Sequence, residues 1–474
     1  MLFNSLTYLL FLITVLIVYW SISRNYRIYF LTISSFIFYG FWNQTYLILI
    51  VSISIIDYLL ALKIDSAKSK FYKKLYLAIS ITANVGLLIF FKYLYFFITN
   101  LNILGFDLDA QKFNFILPLG ISFFTFEAIS YNVDIYRKHF KPEKNYIYYF
   151  CFIAFFPKLI AGPILRAKDL IPQLTSKIKF NWNDIQIGVQ RIVIGLFLKV
   201  VIADNISSYV NDGFLVSNSS LSAIDVWTLA FIFGIQIYLD FSAYSTIAIG
   251  SARLFGVRIP ENFHFPYQVT NPRDFWKRWH ISLSDWIKDY LYIPLIKNYG
   301  GNKNSKKLID VIKRNSTLII TWSIMGFWHG ANWTFVLWGL MHAFLIILFR
   351  FLSKFWNFNK GFLNKTIAHI ITLSFVMLTW IPFRAVSLSD ALSKYKILLE
   401  PSNYTFLGMR ENIYLITFLL MIGIYFMNFL NKYHVVYSKK SKYNFLVNFL
   451  IGLILVPLII AFLRPINQFI YFQF

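Results

Sequence analysis

The feature that most constrains this chain is the recurrence of apolar runs separated by short polar stretches. About twenty apolar residues are what an α-helix needs to cross the hydrocarbon core of a bilayer. Charged residues make up only 14% of the chain, against about 25% in soluble domains. We therefore predict an all-α polytopic membrane protein with one membrane-embedded domain over residues 1–474 and about 11–12 transmembrane helices. The candidate spans are 2–20, 28–42, 46–62, 75–98, 115–135, 186–203, 224–250, 316–328, 333–353, 366–383, 412–431 and 444–463.

Two of the apolar segments need separate treatment. The run at 2–20 has neither a basic leader nor a small-residue cleavage site, so we expect a retained first span and not a secretory signal. Segment 146–161 contains Pro157 and Lys158 and runs into Gly162. Irregular backbone at membrane depth needs protein or a watery cavity around it, so this segment is predicted to be a re-entrant hairpin.

Charge gives the predicted orientation. The chain has 45 basic and 21 acidic residues, a net charge of +24. If 146–161 is re-entrant, every basic cluster falls on one side, in agreement with the positive-inside rule; a full crossing would reverse the second half. The N-terminus is then extracytoplasmic, and the positive charge is expected to contact anionic membrane lipid, with no nucleic-acid partner. The cytoplasmic clusters lie at 24–27, 63–74, 137–144, 166–179, 253–314, 354–365 and 432–442.

Several kinds of chemistry lose support from the sequence. The single cysteine, Cys151, excludes an intrachain disulfide and a cysteine-based zinc cluster, and no metal site is predicted. The chain has no P-loop, no dinucleotide-binding glycine motif after a strand, no HExxH and no GxSxG nucleophile elbow. Nucleotide hydrolysis, zinc proteolysis and serine acyl-enzyme chemistry are therefore disfavoured.

The polar, tryptophan-rich segment 253–314 is predicted to be a cytoplasmic interfacial insert. Asn271 and Pro272 are typical of a helix start. The aromatic residues that follow recur at helical spacing, with basic residues between them, which predicts one amphipathic helix lying in the membrane interface. The residues concerned are Trp276, Lys277, Arg278, Trp279, Leu283, Trp286, Lys288 and Tyr290. His280, among them, is compatible with either a structural or a catalytic role.

A second candidate site lies in the stretch from Gly326 to Trp333, which includes Trp328, His329 and Asn332. The preceding apolar run begins at Ser316 and is short for a crossing, which predicts that His329 lies at membrane depth. An ionisable side chain at that depth is costly to bury, so it is treated as a candidate functional residue. A neutral histidine there could accept a proton. A buried structural histidine is the alternative.

Other polar groups lie inside the predicted spans. Each of Asp57, Lys92, Glu127 and Asp240 could be half of a structural ion pair, and this is the favoured interpretation for the first three. Asp240 has hydroxyl-bearing neighbours, including Tyr244, so it is a candidate to orient a histidine or line a polar channel.

Taken together, five motifs resemble those of the membrane-bound O-acyltransferases, most of all the bacterial branch that O-acetylates alginate and peptidoglycan. The motifs run from Pro118 to Phe126, Phe156 to Arg166, Tyr238 to Ser245, Asn271 to Leu283 and Trp328 to Trp333. The resemblance implies a multi-helix fold around a tunnel, with His329 as the main catalytic residue and His280 assisting or lining the donor side. It also implies acyl transfer to a hydroxyl from a thioester, acetyl-CoA or a similar donor, with no tightly bound cofactor. Lys277 and Arg278, in the segment predicted to be cytoplasmic, are expected to help hold this anionic donor.

Three functions follow as hypotheses. The first is O-acetylation of an extracytoplasmic polysaccharide from the bacterial inner membrane, through a periplasmic esterase-like partner. The second is a non-catalytic acyl or lipid transporter, for which an inverted repeat would be expected and none is visible. The third is D-alanyl transfer to teichoic acid. The chain is rich in Lys, Asn and Ile, as AT-rich genomes tend to produce, and this favours peptidoglycan over alginate as the acceptor.

Overall fold

The computed structural model describes residues 1–160, 162–299, 307–356, 358, 360–438 and 444–463, and all regular elements within them are helical. The first twelve helices are α1 (Leu6–Ser21), α2 (Arg27–Gly40), α3 (Thr45–Ser66), α4 (Lys70–Leu88), α5 (Leu94–Ile103), α6 (Ile121–Tyr136), α7 (Tyr146–Ala154), α8 (Phe156–Leu159), α9 (Ala167–Thr175), α10 (Trp182–Leu196), α11 (Asp204–Leu215) and α12 (Ala223–Leu254). The others are α13 (Pro272–Trp276), α14 (Ile281–Trp286), α15 (Ile293–Tyr299), α16 (Leu308–His329), α17 (Trp333–Leu352), α18 (Gly361–Arg384), α19 (Leu388–Leu399), α20 (Glu411–Ser438) and α21 (Asn444–Ala461).

Each predicted span coincides with a helix, and the chain is an all-α multi-pass membrane protein. Within the described residues, seven helices are long and apolar enough to cross a membrane. Of the other predicted spans, α1 and α6 have 16 residues each and α2 has 14, while α16 begins with charged turns. The seven are Thr45–Ser66, Lys70–Ile103, Trp182–Leu215, Ala223–Leu254, Trp333–Leu352, Gly361–Arg384 and Glu411–Leu430.

The chain divides into two compact units, Met1–Gly195 with Tyr244–Glu261, and Leu196–Ala243 with Asn262–Phe474. In the first unit, α3, α4 and α6 are tied together by the buried carboxylate of Asp57. Asp57 accepts hydrogen bonds from Ser80 at 2.5 Å and from Asn84 and Asn132 at 2.8–3.0 Å. The interpretation of Asp57 as half of an ion pair was therefore wrong, because neutral donors from two neighbouring helices satisfy its oxygens.

The ion pair predicted for Glu127 is confirmed. Lys158 of α8 pairs with Glu127 of α6, and both side chains are almost fully buried. The second oxygen of Glu127 accepts the backbone N–H of Leu165 at 2.9 Å. The segment that contains Lys158 consists of α7, nine residues long, and α8, four residues long. Neither alone could cross a bilayer, and the re-entrant arrangement stays a prediction.

In the second unit, α16 and α17 pack so closely that their backbones approach each other at two glycines. A Cβ atom at Gly326 would overlap the carbonyl oxygen of Phe335, and one at Gly339 would overlap that of Trp322. Small residues at such positions let membrane helices approach at van der Waals distance. This contact fixes the end of α16, where His329 lies.

The buried pair Lys158–Glu127 yields a stability prediction. Lys158→Met should destabilise the protein by about 3–5 kcal/mol, because it leaves a carboxylate buried without its cation. The double variant Lys158→Met/Glu127→Leu should recover most of that loss, since no buried charge remains. Thermal unfolding in detergent measures both, with the exposed Lys141→Met as control. An unaltered melting temperature in the single variant would show that the pair contributes no net stability.

Candidate active site

His329 is the last residue of α16 and is buried, with 3% exposure. The helix α16 begins at Leu308, before the predicted span, but its first turns are charged and it is not among the seven candidate spans. The depth of His329 in the membrane stays a prediction, and its burial comes from packing within the second unit. The imidazole lies against the rings of Trp328, Trp338 and Phe383, with centroid distances of 5.0, 4.9 and 5.2 Å.

His280 lies at a break in the chain between α13 and α14. The predicted single amphipathic helix is wrong, since α13 ends at Trp276 and α14 begins at Ile281. The predicted N-cap is confirmed, since the Asn271 side chain accepts from the Asp274 N–H. His280 has a left-handed backbone, φ 41°, which is uncommon for a residue other than glycine.

One asparagine holds this strained turn. Asn262 Oδ1 lies 3.2 Å from His280 Nδ1 and accepts from both the N–H and the hydroxyl of Ser282, at 3.2 and 2.9 Å. The backbone carbonyl of Asn262 accepts the N–H of Ile281 at 2.9 Å. The sequence analysis missed Asn262. Because its side-chain oxygen lies on the Nδ1 side, Nδ1 is the donor and Nε2 the basic nitrogen.

The tryptophans of this segment are buried inside the protein and do not face lipid. Trp276, Trp279 and Trp286 are 7%, 1% and 6% exposed. Trp276 packs against Trp322 at 4.5 Å between ring centroids, and Trp279 against Trp380 at 4.9 Å. The aromatic face is therefore part of the interior of the second unit, and the interfacial-anchoring interpretation was wrong for these residues.

The two predicted histidines are far apart in sequence, but both contact the same aromatic ring. The ring centroid of Trp328 is 6.4 Å from that of His280 and 5.0 Å from that of His329. Trp328, included among the candidate residues, therefore joins the two motifs spatially.

A third buried histidine was missed. The Trp276 indole N–H donates to His342 Nδ1 at 3.3 Å, and the ring of Trp338 lies 4.8 Å from His342 and 4.9 Å from His329. His342 Nε2 is buried and has no hydrogen-bond partner among the described residues. The available signal was a histidine in the middle of an apolar span, which is costly without a role.

Asp240 forms an ion pair, one of the alternatives considered for it, with a partner that the sequence did not indicate. Lys199 Nζ lies 2.7 Å from Asp240 and 2.7 Å from Asp204, and the side chain of Lys199 is 2% exposed. Lys199 is in a π-helical stretch, Phe197–Ala203, that joins α10 to α11. The helix continues beyond the predicted span 186–203 as far as Leu215. Tyr244 belongs to the first unit, where its hydroxyl donates to Asn4 at 3.2 Å.

A cavity of about 420 Å³ lies in the second unit. Its apolar wall includes Trp276, Trp322 and Met325, and these two tryptophans lie 5.0 and 5.5 Å from His342 by ring centroid. Four cationic residues and one acidic residue line it: Arg273, Lys277, Lys288, Arg350 and Asp285. An apolar floor with a basic rim suits a ligand that has an anionic head and a neutral reactive end.

The basic residues near this cavity differ in whether they line it. Lys277 lines the cavity and pairs with Asp274 at 2.8 Å. Arg278 accepts the N–H of His264 at its backbone carbonyl, 2.9 Å away, and is not among the cavity-lining residues described. Arg273 and Arg350 were missed. Partial desolvation, and then the positive charge of Arg350, lower the pKa of Arg273, so the two guanidinium groups lie close enough to repel each other.

Asn332 has a structural position. It is the N-cap of α17, and its side-chain oxygen accepts the N–H of Thr334 at 3.0 Å. Together with Gly330, whose added Cβ would overlap the ring of Phe335, Asn332 shapes the tight connection that follows His329.

The chain thus combines a helical multi-pass membrane fold with buried histidines and a cationic cavity in the second unit. The family model of membrane-bound O-acyltransferases matches residues 35–382, and the chain belongs to this family. It is an O-acyltransferase.

Curated relatives support the family membership over most of the chain. It is 40% identical over 392 residues to the peptidoglycan O-acetyltransferase of Helicobacter pylori, covering 77% of this chain and 72% of that protein. It is 35% identical over 402 residues to the probable alginate O-acetylase of Pseudomonas aeruginosa, covering 84% and 74%. It is 30% identical over 274 residues to the teichoic acid D-alanyltransferase of Bacillus subtilis, covering 56% and 67%.

The burial of His280 gives a pH prediction. Desolvation lowers the pKa of His280 from 6.5 to about 3. Below pH 6.5 the unfolded chain binds a proton that the folded chain excludes, so stability falls as the pH drops. At about pH 5 this loss amounts to roughly 2 kcal/mol. His280→Gln should therefore lose less stability than the wild type between about pH 7.5 and pH 5.

Unfolding of the variants at both pH values checks this. His264→Gln, at a nearby exposed histidine, should keep the pH dependence of the wild type. If His280→Gln and the wild type lost equal stability, His280 would not be a neutral buried group in the folded protein.

Proposed function

We propose that this protein takes an acetyl group from a cytoplasmic thioester, acetyl-CoA or a similar donor, and delivers it for O-acetylation of an extracytoplasmic polysaccharide, peptidoglycan first. The observation that carries the proposal is His329, buried at the end of α16 and in contact through Trp328 and Trp338 with the other two histidines. The relatives named for peptidoglycan and alginate acetylation support the acetyl group and the acceptor class.

In the proposed reaction, His329 removes the proton of the acceptor hydroxyl as its oxygen bonds to the acetyl carbonyl carbon. The tetrahedral intermediate then collapses, the carbon–sulfur bond breaks, and the leaving thiolate takes up a proton to become the thiol. A positioned base of this kind contributes typically about 10²–10⁴-fold to the rate. His280, with its Nδ1 held by Asn262, is assigned to positioning the donor.

The cationic cavity is the proposed entrance for the donor. Arg273 and Arg350 would bind the phosphates of the thioester, and the thioester end would extend along Trp276 and Trp322 toward the histidines. Basic clusters favour a cytoplasmic position for this cavity in the bacterial inner membrane, with the N-terminus outside. The coenzyme then remains on the cytoplasmic side.

The acceptor is proposed to receive the acetyl group directly or through a periplasmic esterase-like acetyltransferase partner. D-alanyl transfer is the weaker alternative, because the D-alanyltransferase match covers 56% of this chain while the peptidoglycan acetyltransferase match covers 77%. A transporter without catalysis does not fit the family.

The general-base assignment predicts that His329→Gln lowers acetyl transfer by about 10²-fold or more, since glutamine keeps the hydrogen bonding but cannot take the proton. The measurement is mass analysis of O-acetylated wall sugars in cells that express the variant as their only copy. His139→Gln, at a histidine whose side chain is 63% exposed, is the matched control. The His329→Gln variant should retain the wild-type melting temperature. Near-normal acetylation by His329→Gln would eliminate the general-base role.

The donor assignment predicts that Arg273→Gln and Arg350→Gln each raise KM for acetyl-CoA about fivefold, as expected for a screened ionic contact worth about 1 kcal/mol. The effect should shrink as salt is added. Kinetics of the purified protein in liposomes measure this, with the exposed Lys354→Gln as control.

Arg278→Gln in the same assay tests the sequence-based expectation that Arg278 holds the donor. If Arg278→Gln raised KM while the two cavity arginines could be replaced without effect, the donor would enter elsewhere.

A further inference from the structure

A second polar cavity lies in the first unit, remote in sequence from the histidine motifs. It has a volume of about 120 Å³ and is formed where the turn between α1 and α2 meets the segment after α9. Its polar lining includes Arg24, Arg27, Tyr148, Thr175, Ser176 and Lys177. Three of these residues are cationic, and no carboxylate is among the lining residues.

Arg27 is held in place by aromatic rings. Its guanidinium lies 5.0 Å from the ring centroid of Tyr19 and 4.5 Å from that of Trp20. One Nη donates to the carbonyl of Ile178 at 3.2 Å. The Nε atom is buried and has no hydrogen-bond partner among the described residues. Arg27 is thus a fixed cation with a remaining donor.

The positive charge of this cavity is not balanced by the protein. None of Arg24, Arg27 and Lys177 forms an ion pair in the described part of the chain. The hydroxyls of Thr175 and Ser176 already donate to backbone carbonyls of α9, so the guanidinium, ammonium and Tyr148 hydroxyl groups supply the donors. Three like charges around a small cavity repel each other unless an anion binds among them.

The surroundings of the cavity are those of a membrane boundary. It adjoins the end of α1, at Ser21, and the start of α2, at Arg27. Large aromatic side chains nearby in sequence are exposed: Tyr26 by 67%, Phe180 by 54% and Trp182 by 62%. Phe180 also packs edge-on against Trp20 at 5.1 Å between ring centroids. Exposed aromatic residues beside basic ones are typical of the depth of lipid headgroups.

We propose that this cavity binds the phosphate of an anionic phospholipid headgroup. Arg27, Arg24 and Lys177 hold the phosphate oxygens as charge-assisted donors. A zwitterionic choline lipid is disfavoured because its headgroup would bring another cation into the cavity. The shared chemistry is that of a phosphate ester, which a soluble ester such as glycerol 3-phosphate also offers, and the experiment separates the two sources.

The test uses the full chain purified into nanodiscs of phosphatidylcholine with increasing phosphatidylglycerol, with bound phosphatidylglycerol counted by native mass spectrometry. Arg24→Gln/Lys177→Gln should weaken binding about twentyfold, or about fivefold for each cation removed. Lys179→Gln is the matched control, because Lys179 is exposed and basic, lies two residues from Lys177, and does not line the cavity. It should bind phosphatidylglycerol as the wild type does.

Glycerol 3-phosphate added to pure phosphatidylcholine nanodiscs is the second arm. If it raises the melting temperature of the wild type while phosphatidylglycerol does not, the ligand is a soluble ester and the lipid assignment is overturned. Unchanged phosphatidylglycerol binding by the double variant, or an equal loss in Lys179→Gln, would overturn the site itself. Should the double variant fail to fold, Lys177→Gln alone is measured, with a fivefold loss expected.

Discussion

In a protein built of apolar helices, each polar group inside the bundle must find its partner among other side chains, because the lipid offers none. This constraint accounts for the most deeply buried polar groups of both units. Asp57 receives hydrogen bonds from two neighbouring helices, Glu127 holds Lys158, and Lys199 lies between two aspartates. Each of these groups joins helices that hydrophobic packing alone would leave free to slide.

The active site depends on the same constraint, applied to histidine. His280, His329 and His342 lie in an interior formed largely by tryptophan and phenylalanine rings. Gly326 and Gly339 let α16 and α17 approach until these rings pack together. Desolvation in this interior lowers the pKa of His280, so that its imidazole is neutral at physiological pH. The cavity beside Trp276 and Trp322 has cationic lining residues, which would attract the anionic donor of the proposed reaction.

Sequence periodicity and hydropathy predicted the helical membrane class well, because apolar runs of this length have few alternatives. They did not predict helix ends and side-chain burial that depend on contacts with residues distant in sequence. The helix expected through the tryptophan-rich segment is interrupted at His280, since Asn262 binds the backbone and side chains of that turn. Hydropathy also did not place Trp338 and Phe383 against His329, and packing against these rings is what buries the histidine.

The sequence by itself determined the membrane class, the approximate helices, the family motifs and the two histidines, because each leaves a local pattern of hydropathy or residue type. Tertiary structure alone decided which residues meet. It brought His280 against Trp328, placed Lys199 against Asp240, and added His342 and the arginines of the cavity. These partners are separated by tens of residues along the chain, and a pairing that depends on side-chain packing across helices has no local signature.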